Sequence, residues 1–184
     1  MAASWWIKGS DSGKVPVAVC RKNHTTGLER SSRGTLIELT GNANYPDNPD
    51  TTDELTLFEA PRDWADDYGT RIIGYIHPPV TGTYTFWIAS DDNGELWLSK
   101  NGSANKKRKI ANVPDWTDPR EWTKYPEQQS SSITLKAGRR YYIEALMKEG
   151  AGGDNLAVAW QPPGGTREVI PGRYLSPFVG KITR

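Results

Sequence analysis

The chain has 184 residues, 36% hydrophobic and 24% charged, with eight Trp and eight Tyr, enough to bury a sizeable core in one domain without covalent staples. Lysine and arginine number 23 against 22 aspartates and glutamates, and a net charge of +1 gives no support to nucleic-acid binding. Cys20 stands alone, which excludes a disulfide framework and a thiolate metal site, and no apolar run approaches the ~20 residues that span a bilayer.

In chain order, the opening MAASWWIKGSDSGK lacks a basic stretch followed by an apolar one and is not expected to be a signal peptide. Residues 1–26 read as an N-terminal extension or an added edge strand, and 27–184 as one domain. TLIELT (35–40), LTLFEA (55–60) and RIIGYIH (71–77) are candidate strands, and PRDWADD (61–67) offers a turn or so of helix. TYTFWIAS (83–90) alternates, with Tyr84, Phe86 and Ile88 on one face and Thr83, Thr85 and Trp87 on the other. ELWLS (95–99) and SITLKAG (132–138) follow as shorter candidates. RRYYIEALMK (139–148) then puts Tyr141, Ile143, Ala145 and Met147 on one side, and NLAVAWQ (155–161) does so with Leu156, Val158 and Trp160.

Gly and Pro punctuate these segments at PVTGT (79–83), KAGR (136–139), GAGGDN (150–155) and QPPGG (161–165). Many short strands separated in this way predict an all-β fold, an antiparallel sandwich or barrel. Two long loops, 40–54 and 112–131, are rich in Pro, Asp and aromatics. Loops of that length in a compact domain are usually functional or disordered, and the aromatic content argues against disorder.

The chemistry concentrates at ASDDNGELWLS (89–99). Asp91, Asp92 and Asn93 sit side by side, and adjacent carboxylates raise one another's pKa unless a cation neutralises them. Ca²⁺ accepts six to eight hard oxygens, which such a loop supplies. The stretch is no EF-hand, because the twelfth position counted from Asp91 is Gly102 rather than a bidentate Glu. Asp-Asn-Gly is also ordinary turn chemistry, so by itself this stretch reads first as a solvated hairpin turn. A second loop, KEGAGGDN (148–155), brings glycines including Gly152, with Asp154, Asn155 and Glu149 as further oxygen donors. Should both loops share one end of the sandwich, they form a Ca²⁺ cup.

Trp116, Trp122 and Tyr125 in the long loop offer rings for stacking on the C–H faces of sugars, as do Trp64 and Tyr68. Packing of the loop on itself is the competing role for each ring. KKRK (106–109) reads as a lysine-rich strand edge that discourages sheet-to-sheet pairing. His24 and His77 are too few for a histidine metal site, and no nucleophile elbow or phosphate loop is present.

Taken together, YPDNPD, YGTRIIGYIHPPVTGTYTFWIASDDNGELWLS, WTDPREWTKYPEQQS, LKAGRRYYIEALMKEGAGGDNLAVAW and IPGRYLSPF resemble a PA14 domain over about Gly27 to Phe178. The resemblance implies an antiparallel β-sandwich of a bacterial type. In lectin members a consecutive Asp pair joined by a cis peptide holds Ca²⁺, and sugar hydroxyls bind the ion. On this chain the pair is Asp91 and Asp92, with Gly152–Asn155 as the second loop. The implied function is non-catalytic, Ca²⁺-dependent carbohydrate binding (polysaccharide or cell-surface glycan) by a monomeric module of a larger extracellular protein, without nucleic-acid binding or membrane insertion. A structural or protein-contacting PA14 domain that binds no sugar is the alternative.

Overall fold

The computed structural model describes residues 15–21, 35–46 and 48–178. Its strands form two antiparallel sheets. The larger sheet has the order β2-β1-β3-β8-β5-β6, with β11 added beside β3. Its members are β1 (Val15–Arg21), β2 (Thr51–Leu55), β3 (Tyr68–Ile76), β5 (Gly94–Ser99), β6 (Lys107–Val113), β8 (Tyr141–Lys148) and β11 (Leu175–Ser176). The smaller sheet runs β10-β9-β4-β7, from β4 (Gly82–Asp91), β7 (Ile133–Leu135), β9 (Asn155–Gln161) and β10 (Glu168–Val169). The sandwich expected from the alternating segments is the fold.

The alternation decides which faces meet. Tyr84, Phe86 and Ile88 of β4, Ile143, Ala145 and Met147 of β8, and Leu156, Val158 and Trp160 of β9 are all fully buried in one core between the sheets. Trp160 anchors it, with its ring 5.3 Å from those of both Tyr84 and Tyr174. A buried aromatic of this kind removes 150–250 Å² from water, so the strands that carry it are fixed in register.

Three segments differ from the sequence expectation. TLIELT is not a strand: Leu36–Thr40 is a helix, α1. Glu38 accepts a hydrogen bond from the Thr35 amide at 3.2 Å, half of the Thr-x-x-Glu capping box that outweighs the β-leaning composition. Leu39 packs against Leu146, in a position that a side chain at Gly69 would invade. PRDWADD is not a helical turn either. Asp63 and Asp67 take positive φ values of 50° and 53°, and the Trp64 and Ala65 amides donate to Asp154 rather than to preceding carbonyls. LTLFEA is divided, since β2 ends at Leu55 and residues 57 and 59 make isolated bridges to Pro171 and Ala157.

Of residues 1–26, Val15–Arg21 is described, and it lies between β2 and β3 with β2 outside it. The remainder of that segment lies outside the described residues. KKRK opens β6 at the sheet's edge, but Lys107 reaches inward to the fully buried Glu144. Arg71 binds the other Glu144 oxygen at 3.1 Å and Tyr142 donates to the carboxylate at 2.6 Å. Burial alone would raise the Glu144 carboxyl, but Arg71 and Lys107 overcome it and hold the group below its ordinary range. Arg71 also donates to the Pro46 carbonyl, which fastens the 40–54 loop to the outer face of the larger sheet.

Candidate functional site

Register places the two loops together. Asp91 ends β4 directly opposite Asn155 at the start of β9. On the other sheet Lys148 pairs with Gly69, and the Glu149 amide donates to the Tyr68 carbonyl at 2.8 Å. The 91–93 and 148–155 loops therefore leave the same end of the sandwich and touch: the Gly150 amide donates to Asp92 Oδ2 at 2.9 Å.

Asp91, Asp92 and Glu149 each present a carboxylate oxygen within 4.8 Å of the other two. Asp92 and Glu149 are buried, at 7% and 1% exposure. The Asp91–Asp92 peptide bond is cis, the arrangement implied by the resemblance. Burial, then the Asp92 and Asp154 charges, push the Asp91 carboxyl up to about 6. Burial and the charges of Asp92, Asp91 and Asp154 push Glu149 up to about 8. Each value records the same fact, that too much negative charge is packed into one desolvated place.

The remaining oxygens show what the site lacks. Asp154 Oδ2 accepts the Trp64 and Ala65 amides, while Asp154 Oδ1 is buried and has no hydrogen-bond partner among the described residues. Asn155 donates its amide nitrogen to the Thr117 carbonyl at 2.9 Å, which leaves its Oδ1 buried and unpartnered. Glu149 Oε2 is in the same condition. Orphaned buried oxygens are rare because each costs about 1–3 kcal/mol. Three of them around an acidic cluster form a hard-oxygen donor set, chemistry that fits a hard cation such as Ca²⁺.

The local fold holds this geometry in place. Ser90 Oγ donates to the Asp92 carbonyl at 2.8 Å, inside space that a side chain at Gly94 would occupy. Asn93 donates to the Pro114 carbonyl at 2.6 Å and its own carbonyl accepts from Lys148, so it braces the cup. Gly152 is exposed with φ of 122°, and its amide donates to Asp66 Oδ1 rather than toward the carboxylates.

The 112–131 loop lies along the same end. Thr117 exchanges backbone and side-chain hydrogen bonds with Ser90, and the fully buried Gln128 donates to the Ile88 carbonyl at 2.9 Å. Trp116 is 39% exposed, with the Lys124 ammonium 2.9 Å from its ring centroid. That ammonium is near enough to Asp91 to oppose the upward shift of its carboxyl, whereas Asp115 adds to it. Trp122 is half-buried, and Tyr125 packs against the main core. Tyr68 is buried edge-on against Trp64, so of those two rings Trp64 is the one at the surface.

The Asp pair and the 148–155 loop meet as their sequence positions suggest; Glu149 lies inside the cluster rather than at its margin, and Lys124 and Asp115, which the sequence does not single out, act on Asp91. An acid directly after a strand and before a glycine run was the available signal for Glu149. No sequence signal places Lys124, because its proximity depends on how the long loop folds back.

An antiparallel β-sandwich with an acidic cup built from two loops at one end defines the class. A PA14 domain family model matches residues 24–173, and the chain belongs to that family. A mouse N-acetyl-beta-glucosaminyl-glycoprotein 4-beta-N-acetylgalactosaminyltransferase 1 is 37% identical over 150 residues, which are 78% of this chain and 14% of the mouse protein. An Acetivibrio thermocellus anti-sigma-I factor RsgI3 is 26% identical over 64% of this chain and 16% of its own length. The chain thus spans a small part of these curated relatives. Among solved structures, a PA14 sugar-binding domain from an RTX adhesin superimposes with a TM-score of 0.65 at 12% identity, covering 90% of this chain and 99% of that one. The Candida glabrata epithelial adhesin 9 A domain, in complex with Galb1-3GlcNAc, gives 0.62 at 15% identity, with 89% and 88% covered.

Proposed function

We propose that this PA14 domain is a non-catalytic, calcium-dependent carbohydrate-binding module of a larger extracellular protein, directed at a polysaccharide or cell-surface glycan. The observation that carries the reading is the cluster of Asp91, Asp92 and Glu149, ringed by unpartnered oxygens of Glu149, Asp154 and Asn155. These five residues would hold the ion. Bound calcium supplies a Lewis-acidic centre for sugar hydroxyls. Asn93 and the backbone around Gly152 shape the rim, and Trp116 and Trp122 offer apolar surface for the sugar's C–H faces. Tyr125 contributes mainly by supporting them from the core side.

The sugar-binding adhesin domains among the structural neighbours support carbohydrate as the ligand class and a cell-exterior setting. Relatives come from animals and bacteria alike, so the module class carries over and its source does not. A binding role suits the carboxylates better than catalysis does. A glycosidase sets two acids across a substrate at separations of ~5 to ~9.5 Å, whereas here three acids converge on one point.

Paired calorimetric titrations test the reading, first with Ca²⁺ and then with a bound glycan. Trp116→Ala or Trp122→Ala should lower sugar affinity roughly five- to thirty-fold, on the order of 1–2 kcal/mol for a lost stacking contact, with calcium affinity unchanged. Wild-type sugar affinity in both variants would show that the loop's rings serve packing alone.

A further inference from the structure

The net charge of +1 conceals an uneven distribution. On the open side of the sandwich, β6 ends the larger sheet and β7 ends the smaller one. A groove of about 650 Å³ between them is lined by Lys100, Arg108, Lys109, Lys136 and Arg139, and by no aspartate or glutamate. All five cations are exposed. Lys109 pairs with Glu95 at 3.0 Å, but among the described residues Lys100, Arg108, Lys136 and Arg139 have no carboxylate partner. The hydroxyls of Ser131, Ser132 and Thr134 lie among them.

The groove is distinct from the acidic cup. In the β5–β6 pair, Gly94 opposite Val113 lies at the cup, whereas Ser99 opposite Lys107 lies at the far end. β7 pairs with Gly82–Tyr84, the end of β4 away from Asp91. A lysine-rich edge alone needs cations on one strand, facing solvent. Here the cations come from β6, from Lys100 directly after β5 and from the 136–139 turn that follows β7, and they line one concave surface, which focuses a positive potential.

We propose that this groove is a second, calcium-independent binding site for an anionic polysaccharide, a chain carrying sulfates or uronate carboxylates. Arginine forks at Arg108 and Arg139 suit such planar or tetrahedral anions, lysines supply point charges, and the serine and threonine hydroxyls match sugar hydroxyls. A single-stranded nucleic acid fits less well. The one aromatic residue in the lining, Tyr141, is buried, with its hydroxyl engaged by the Lys136 amide, so no ring is presented to a base.

The test uses two probes in EDTA, a heparin-derived octasaccharide and an oligogalacturonate of equal length. A desulfated, N-acetylated heparin octasaccharide and a single-stranded oligonucleotide of matched charge serve as comparisons. Wild type should bind at least one of the first two probes, and which one separates sulfate from uronate recognition. Affinity should fall on the order of tenfold between low and physiological salt, as counterions released on binding require. Arg108→Ser combined with Lys136→Ser and Arg139→Ser, all at exposed positions, should lose at least tenfold with an unchanged melt, and Asp92→Asn should lose nothing. The proposal is overturned if neither probe binds in low salt, if the triple variant binds like wild type, or if the oligonucleotide binds as tightly as the better probe.

Discussion

At the scale of single residues, Glu149 and Asp91 carry the site's energetics. Both carboxyls are raised, to about 8 and about 6, so the metal-free folded protein holds protons that the unfolded chain releases near pH 4. Bound protons in the native state exceed those in the unfolded state between those limits, and stability without metal must fall as pH rises from about 4 toward 8. Melts in EDTA across that range should show the decline, and Glu149→Gln should flatten its upper part. An unchanged slope in Glu149→Gln would remove the residue from the cluster. Asp92→Asn should weaken calcium binding while the sandwich stays folded, because a charge is lost without a change of volume. Trp160→Ala should do the opposite, with a loss of ~3–5 kcal/mol from the core. Calcium titration and denaturant melts of the two variants separate these roles. If Asp92→Asn unfolds the domain as badly as Trp160→Ala, Asp92 is structural.

At the scale of elements, the 112–131 loop belongs to the sheet more than to solvent. Gln128 is fully buried and satisfies three backbone groups, accepting from the Tyr125 amide and donating to the Ile88 and Glu121 carbonyls. Gln128→Ala leaves those groups unpaired and should cost about 1–3 kcal/mol. The loop should become a cleavage site in limited proteolysis while β4 and β9 remain protected; continued resistance of the loop would mean that its other anchors, at Pro114, Thr117, Gln129 and Ser130, hold it without Gln128. Legibility in the sequence divides along this same line. β4, β8 and β9 are readable because apolar residues recur at every second position, with only Ser90 near the end of β4 interrupting them. α1 is not, since Leu36, Ile37 and Leu39 look like strand residues and the helix rests on a cap and on the space left by Gly69. The 61–67 segment misled for a related reason: its backbone is organised by Asp154, more than eighty residues away. The Asp pair stands out in the sequence as local chemistry, whereas the orphaned oxygens on which the proposed cation site rests emerge from register between strands.

At the scale of the whole molecule, the sandwich brings two sheet-to-sheet crossings, β4 to β5 and β8 to β9, to one end, where the proposed ion would tie them together. A cation that binds the native arrangement alone stabilises it by ~2.7 kcal/mol at 100 times its Kd. At roughly 2–4 °C per kcal/mol for a domain of this size, the melt should rise by about 5–10 °C between chelator and calcium. The central claim joins that ion to a sugar, and a glycan array probed with the same protein in Ca²⁺ and in EDTA tests it most directly. The account predicts a defined set of glycans bound in calcium and lost in EDTA, with Asp92→Asn binding none of that set. No glycan bound in calcium, or the same set bound equally in EDTA and by Asp92→Asn, would contradict it.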